Sequence, residues 1–186
     1  MTELPSALYF FILLGVSEIG LALVKRSHTG KSDGGSLGLL WGVILTGIAM
    51  AIYVSYALPG FGHGFHLAGY ALGAFVFFFG MVLRWWAIIH PGRFLTVNVA
   101  IAKDHHVVSD GPYRLVHHLS YTGALLAFVG LAISLHSWLE ALLLLVPITA
   151  AFMWRIHIEE QVLSKALGPA YTDYMARTKK LVPFLF

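Results

Sequence analysis

The sequence predicts an all-α integral membrane protein of about five transmembrane helices, with a cytoplasmic loop and a C-terminal helical tail forming its site. Three observations carry this. Of its residues 58% are hydrophobic and only 11% charged, with mean hydropathy +0.77, against roughly 25% charged in soluble domains. Its apolar residues fall in five runs, each near the length needed to cross about 30 Å of hydrocarbon. Its basic residues gather at one set of run ends.

Taken in order, the runs are residues 7–24, 37–58, 67–89, 119–135 and 138–154. The start, Met1-Thr-Glu-Leu-Pro5, lacks the positive n-region of a signal peptide, so the first run is expected to remain as a span. Gly60, Gly62 and Gly64 mark a short loop before the third run; the fourth and fifth, parted by His136 and Ser137, read as a tight helical hairpin. The chain is expected to form one membrane domain, residues 1–186, with N-terminal spans over 1–83 and the chemistry-bearing region over 84–186.

Lys25, Arg26 and Lys31 follow the first run. Arg84, Arg93, Lys103 and Arg114 lie at the end of the third or beyond it, and Arg155, Lys165, Arg177, Lys179 and Lys180 follow the fifth. All 12 basic residues thus fall on one side, and the positive-inside rule places the N-terminus outside and the C-terminus in the cytoplasm. Trp41, Trp85, Trp86, Trp138 and Trp154 sit near run ends, where indoles prefer the interface. This distribution explains the pI near 9.2 without nucleic acid as a partner. The chain is expected to be integral to a cell inner (cytoplasmic) membrane, with its site facing the cytoplasm. Glu18, inside the first run, is costly there unless paired or protonated, and a structural partner is expected.

Two polar blocks stand out from the hydrocarbon: Gly111-Pro-Tyr-Arg-Leu-Val-His-His-Leu-Ser-Tyr-Thr-Gly123 and Arg155-Ile-His-Ile-Glu-Glu160. The hairpin brings them to one membrane face, where a shared site takes a soluble cosubstrate from the cytosol and an apolar one from lipid. His105–His106 and His117–His118 raise the question of a metal. Adjacent residues on a helix point in different directions, and no carboxylate-x-x-His motif accompanies them, so no metal is expected. Gly-x-Gly-x-x-Gly after a strand is absent, and Ser120 beside His118 has no oxyanion-hole motif.

The first block resembles the Gly-x-Tyr-…-Arg-His-Pro-x-Tyr-x-Gly signature of the isoprenylcysteine carboxyl methyltransferase family. The second continues as Arg155-x-x-x-Glu159-Glu160-x-x-Leu163-…-Leu167-Gly168-x-x-Tyr171-x-x-Tyr174, which is similar to that family's tail. Leu83-Arg-Trp-…-Gly92-Arg-Phe and the basic-then-proline ending from Arg177 to Pro183 resemble it too, so the likeness spans residues 84–186. Where the family has arginine and proline in the Arg-His-Pro element, this chain has His117 and Leu119.

The resemblance implies a helical membrane methyltransferase using S-adenosyl-L-methionine, without a Rossmann domain. Matched by position, His105, His106, Val107 and Val108 lie along the cofactor. Tyr113, His118, Ser120, Tyr121 and Glu159 are its other contacts, and Arg155 is the catalytic arginine acting on the methyl acceptor. Such a donor is zwitterionic with an added sulfonium charge, and wants hydrogen-bond donors together with acidic or aromatic groups. The acceptor implied is lipid-like, prenyl-like or otherwise apolar, among membrane lipids. A carboxylate comes first, since it is already ionised at neutral pH and Arg155 offers it a fork of donors. A phospholipid amine would need a base, with His157 or Glu160 available; a small thiol, or a non-catalytic carrier or scaffold, are the other readings.

Overall fold

The computed structural model describes residues 8–24, 35–58, 67–90, 109–135 and 137–183. Five apolar helices make the bundle: α1 (Leu8–Val24), α2 (Ser36–Ala57), α3 (Leu67–Ile89), α4 (Leu119–Ser134) and α5 (Trp138–Leu167), followed by a short α6 (Pro169–Arg177). Among the described residues there is no strand beyond an isolated bridge. Three helices, α2, α3 and α5, are long and apolar enough to cross a membrane; α1 and α4 are shorter apolar helices packed among them. Their outer faces carry exposed Leu, Val and Phe side chains such as Val16, Leu45, Phe75 and Val146, as expected where lipid replaces water as the solvent.

The fifth element departs from the sequence reading. The apolar run ends at Trp154, but the helix continues to Leu167, 30 residues in all. At 1.5 Å per residue that is about 45 Å, well beyond the hydrocarbon thickness. The second polar block is therefore an extension of α5 itself, standing out of the membrane. Glu159 and Glu160 lie toward its C-terminal end, so they do not serve an N-terminal helix dipole. Ser137 caps the other end, its hydroxyl accepting from Leu139 N–H at 3.2 Å.

The closest packing in the bundle is between α3 and α4, which run antiparallel. A Cβ added at Gly73 would lie 2.6 Å from the Gly130 carbonyl, one at Gly80 2.7 Å from that of Gly123, and one at Gly123 2.5 Å from the Arg84 nitrogen. Glycines seven residues apart on each helix thus face one another, and the backbones touch where side chains would otherwise hold them apart. Small residues favour such approach in membranes, where lipid tails are as apolar as leucine and close packing supplies the attraction. Phe77, fully buried, fills the space beside this seam together with Phe10, Phe128 and Phe152. On the other side α2 lies against α5 at Gly47, beside the Leu143 carbonyl, which Pro147 leaves without its helical partner.

The bundle also holds a partly buried ion pair. Arg84 Nε and Nη2 donate to the two oxygens of Glu18 at 2.5 and 2.6 Å, and its Nη1 donates to the Ser120 carbonyl at 3.2 Å. Beside this pair, Trp85 Nε1 donates to the Ser17 hydroxyl at 2.6 Å. Glu18 thus has the partner its position demanded, and α1 is fastened to α3 and α4. Arg84 and Trp85, read from sequence as interfacial residues, are committed inside the bundle instead; Trp86, Trp138 and Trp154 keep exposed faces.

Two predictions follow from this packing. Gly130→Leu should lower the melting temperature of the detergent-solubilised protein sharply, since overpacking costs about 1–3 kcal/mol or more. Gly42→Ala, with nothing within 4 Å of the added carbon, should leave it unchanged; equal shifts would refute the seam. Glu18→Ala should cost about 3 kcal/mol by stranding Arg84, and the double variant with Arg84→Met should recover part of that loss. Additive losses in the thermal melts would show that the two side chains do not act as a pair.

Candidate functional site

After Ser109 and Asp110 the backbone makes a 3₁₀ turn over Gly111–Arg114. Gly111 adopts φ +53, in the left-handed region that favours glycine, above the ring of His90. Tyr113 is buried beneath this turn, its hydroxyl donating to the Ala87 carbonyl at the end of α3 at 2.6 Å. Its own carbonyl accepts from the Tyr174 hydroxyl of α6 at 2.7 Å. Burial pushes the hydroxyls of Tyr113, Tyr171 and Tyr174 well above the ordinary tyrosine range, so all three remain protonated.

Gly168, at φ 58 and ψ −136, ends α5 in a conformation that L side chains avoid, and Pro169 starts α6 with its φ already set. The reversal carries the tail back across the first polar block. Lys179 N–H donates to the Leu115 carbonyl at 2.8 Å, His117 N–H to Lys179 at 3.0 Å and His118 N–H to Lys180 at 3.1 Å. Val116 and Lys179 form a parallel bridge, and the Thr122 hydroxyl closes the pairing on the Leu181 carbonyl at 2.7 Å. The two blocks that the hairpin was expected to bring together do meet, joined backbone to backbone.

At the junction the side chains sort into two clusters, one on each carboxylate of α5. In the first, the Tyr121 hydroxyl donates to Glu159 Oε2 at 2.7 Å and also takes a hydrogen bond from Arg155. Arg155 is 1% exposed, while Glu159 one turn further on is partly exposed. Phe152 and His118 set their rings edge-on to Tyr121, at 5.5 and 5.6 Å between centroids. In the second, Glu160 Oε1 lies 3.3 Å from His117 Nε2 and 3.1 Å from His118 Nε2, and its Oε2 accepts from Lys180 Nζ at 3.0 Å. Burial opposes ionisation of Glu160, but hydrogen bonds from His117, His118 and Lys180 outweigh it and hold the carboxyl below its usual range.

The structure brings some of the sequence-predicted residues together and not others. Tyr121, His118, Glu159 and Arg155 come together. Tyr113 lies close by, but its hydroxyl is spent on α3. Ser120 offers Arg84 its carbonyl. His105, His106, Val107 and Val108 lie outside the described residues. The argument against convergence of His117 and His118 assumed a helix; both precede α4, in the segment paired with the tail, and their rings converge on one oxygen. Lys180 and Thr178 were missed, because their place depends on a pairing across about sixty residues that no local pattern encodes. Of the two bases considered for an amine acceptor, His157 is exposed and bonded to Gln161 at 3.0 Å, and Glu160 is engaged by three cations or rings.

Beneath Tyr121, beyond Phe152, an apolar cavity of about 110 Å³ opens between α1, α2, α4 and α5. Its walls include Leu14, Ile44, Phe128 and Phe152, and the Glu18–Arg84 pair lies at its edge.

Residues 68–170, more than half of the chain, match the model of the phospholipid methyltransferase family. The chain belongs to that family. Among its relatives, protein-S-isoprenylcysteine O-methyltransferase B of Arabidopsis thaliana is 29% identical over 100% of this chain and 93% of its own length. The A enzyme of the same plant is 32% identical over 61% of this chain and 58% of its own length. The Schizosaccharomyces pombe protein-S-isoprenylcysteine O-methyltransferase is 31% identical over 57% and 46%. The fold matches a solved eukaryotic intramembrane Ras methyltransferase, isoprenylcysteine carboxyl methyltransferase, with TM-score 0.66 and 23% identity. That match covers 96% of this chain and 65% of the other, so the chain spans a little under two thirds of it. The likeness read in residues 111–123 and 155–174 is therefore a family likeness, and the chain is an integral membrane protein of the methyltransferase kind.

The tail pairing generates a prediction of its own. Tyr174→Phe and Thr122→Val each remove a hydrogen bond worth about 1 kcal/mol. Each should raise the rate of tryptic cleavage at Lys179 and Lys180 by about 5-fold, read by mass spectrometry. Unaltered protection would mean that the tail is not held by these contacts.

Proposed function

We propose that this chain is an S-adenosyl-L-methionine-dependent methyltransferase, acting on an apolar, prenyl-like acceptor that carries a carboxylate. The carrying observation is the meeting of Arg155, Tyr121 and Glu159, with the Phe152 ring packed between Tyr121 and an apolar cavity. The donor's methyl is electrophilic because it sits on a sulfonium sulfur, which leaves with the bond's electron pair as a neutral thioether.

The donor set present fits such a group. Glu159 offers a partly exposed carboxylate to its cationic or hydroxyl parts, and the aromatic edges of Tyr121 and His118 lie beside it. Arg155, planar and permanently charged, would hold the acceptor carboxylate with both donors of its fork. Its burial keeps water from that carboxylate, whose negative charge is neutralised as the ester forms, so that a dry site favours the transfer. Alignment is then the main demand, and no proton need move. A carboxylate acceptor is favoured over an amine because neither His157 nor Glu160 is free to serve as a base beside Arg155.

The same reading places the site at the cytoplasmic face. Arg114, Arg155, Lys165, Arg177, Lys179 and Lys180 cluster at the end of the bundle that bears the two polar blocks, which supports the sidedness drawn from charge. Arg84 drops out of that count, being paired with Glu18.

Purified protein should bind S-adenosylhomocysteine in isothermal titration, and Glu159→Ala should weaken binding about 10-fold. Arg155→Ala should retain that binding while losing transfer of labelled methyl into a prenylcysteine acceptor. The label should be released by mild base, as esters are; no heat at millimolar ligand, or a base-stable label, would sink the reading.

A further inference from the structure

We infer that His117, His118 and Glu160 form a binding site for a divalent cation of the zinc class. The argument begins with three converging ligand atoms. The Thr178 hydroxyl donates to the Tyr174 carbonyl at 2.8 Å, so its oxygen accepts from His117 Nδ1, 2.9 Å away, and the ring turns Nε2 toward Glu160. That Nε2 lies 3.3 Å from Glu160 Oε1, and Oε1 also has His118 Nε2 at 3.1 Å. A cation seated among these atoms would be held by two imidazoles and a carboxylate.

The geometry suits an ion. Zinc–ligand bonds of about 2.0–2.1 Å in a tetrahedron place neighbouring ligand atoms roughly 3.4 Å apart, close to the two separations between Glu160 and the imidazole nitrogens. The ligand atoms of all three residues lie within 4.8 Å of one another, and the His117 and His118 side chains are 4% and 3% exposed. The surroundings are built as metal ligands require: the second ring nitrogen of His117 is tied to Thr178, and the other oxygen of Glu160 to Lys180. An open groove on α5, bordered by His157, Glu160 and Lys165, gives access from water. Three ligands leave a fourth position for a water or a ligand from outside. The ion would supply a fixed positive charge where the related family signature has arginine in place of His117, and would cross-link the pre-α4 segment to α5.

The test uses the full chain in nanodiscs, stripped with a chelator and titrated with Zn²⁺ or Co²⁺ alone. One equivalent of zinc should bind with a Kd at or below about 1 µM, and cobalt should give the visible bands of a four-coordinate nitrogen–oxygen site. His117→Ala and Glu160→Gln should each weaken zinc binding at least ~10-fold, and His117→Arg should abolish the cobalt bands. Should Glu160→Gln fail to fold, His117→Ala alone decides. No stoichiometric zinc binding by the wild type would assign the position to a proton and overturn the proposal. So would wild-type affinity in His117→Ala.

Discussion

The contact of α3 with α4 through facing glycines is the constraint from which the site is built. Because the two backbones touch at Gly80 and Gly123, Arg84 lies directly against the first turn of α4. There it reaches both Glu18 and the Ser120 carbonyl. The position of that turn sets where Tyr121 emerges, and hence where Glu159 must stand to meet it. Bulkier residues at the seam would move α4 outward, and the polar groups above it would lose their register with α5. In a bilayer there is little hydrophobic drive to bring helices together, so the seam and the ion pair carry much of that task.

Above the membrane a different interaction takes over. Residues 115–118 are neither helix nor sheet, and their backbone groups would need water if left alone. The tail meets that need by pairing with them, from Leu115 to Lys180. One backbone ladder therefore satisfies two irregular segments at once, and it orients His117 and His118 toward α5 rather than letting them diverge as they would on a helix. The side-chain chemistry of the site depends on this backbone arrangement more than on any direct bond between the functional groups.

Much of this was legible in the sequence, and the reasons differ by element. The five apolar helices followed from run length, because the bilayer imposes a length that a single sequence must show. The joining of the two polar blocks followed from the short hairpin. The partner of Glu18 was legible as a need but not as an identity, since Arg84 is 66 residues away and sits where a charge also serves as an interfacial anchor. The glycine spacing on α3 and α4 was present in the sequence but is meaningful only once the two helices are known to be neighbours. The extension of α5 to Leu167 was hidden because hydropathy reports where the membrane ends, not where the helix does.

The departures at His117 and Leu119 become intelligible in the same terms. Leu119 starts α4 where proline would preset the backbone. It is 6% exposed and packs with Ala87, Tyr113 and Val116, so the position contributes apolar contact to the small core that seats the 3₁₀ turn on α3. The tail, paired with residues 115–118, fixes the approach to α4 that a proline ring would otherwise restrict. His117 keeps its ring against Glu160, tied on its other side to Thr178, where an arginine would bring its own fixed charge. Glu160, already ionised and already held by Lys180, then faces two ring nitrogens rather than a guanidinium. The substitution replaces a charge built into the side chain by a ring nitrogen set beside a carboxylate, and that exchange is what distinguishes this site from the signature it otherwise follows.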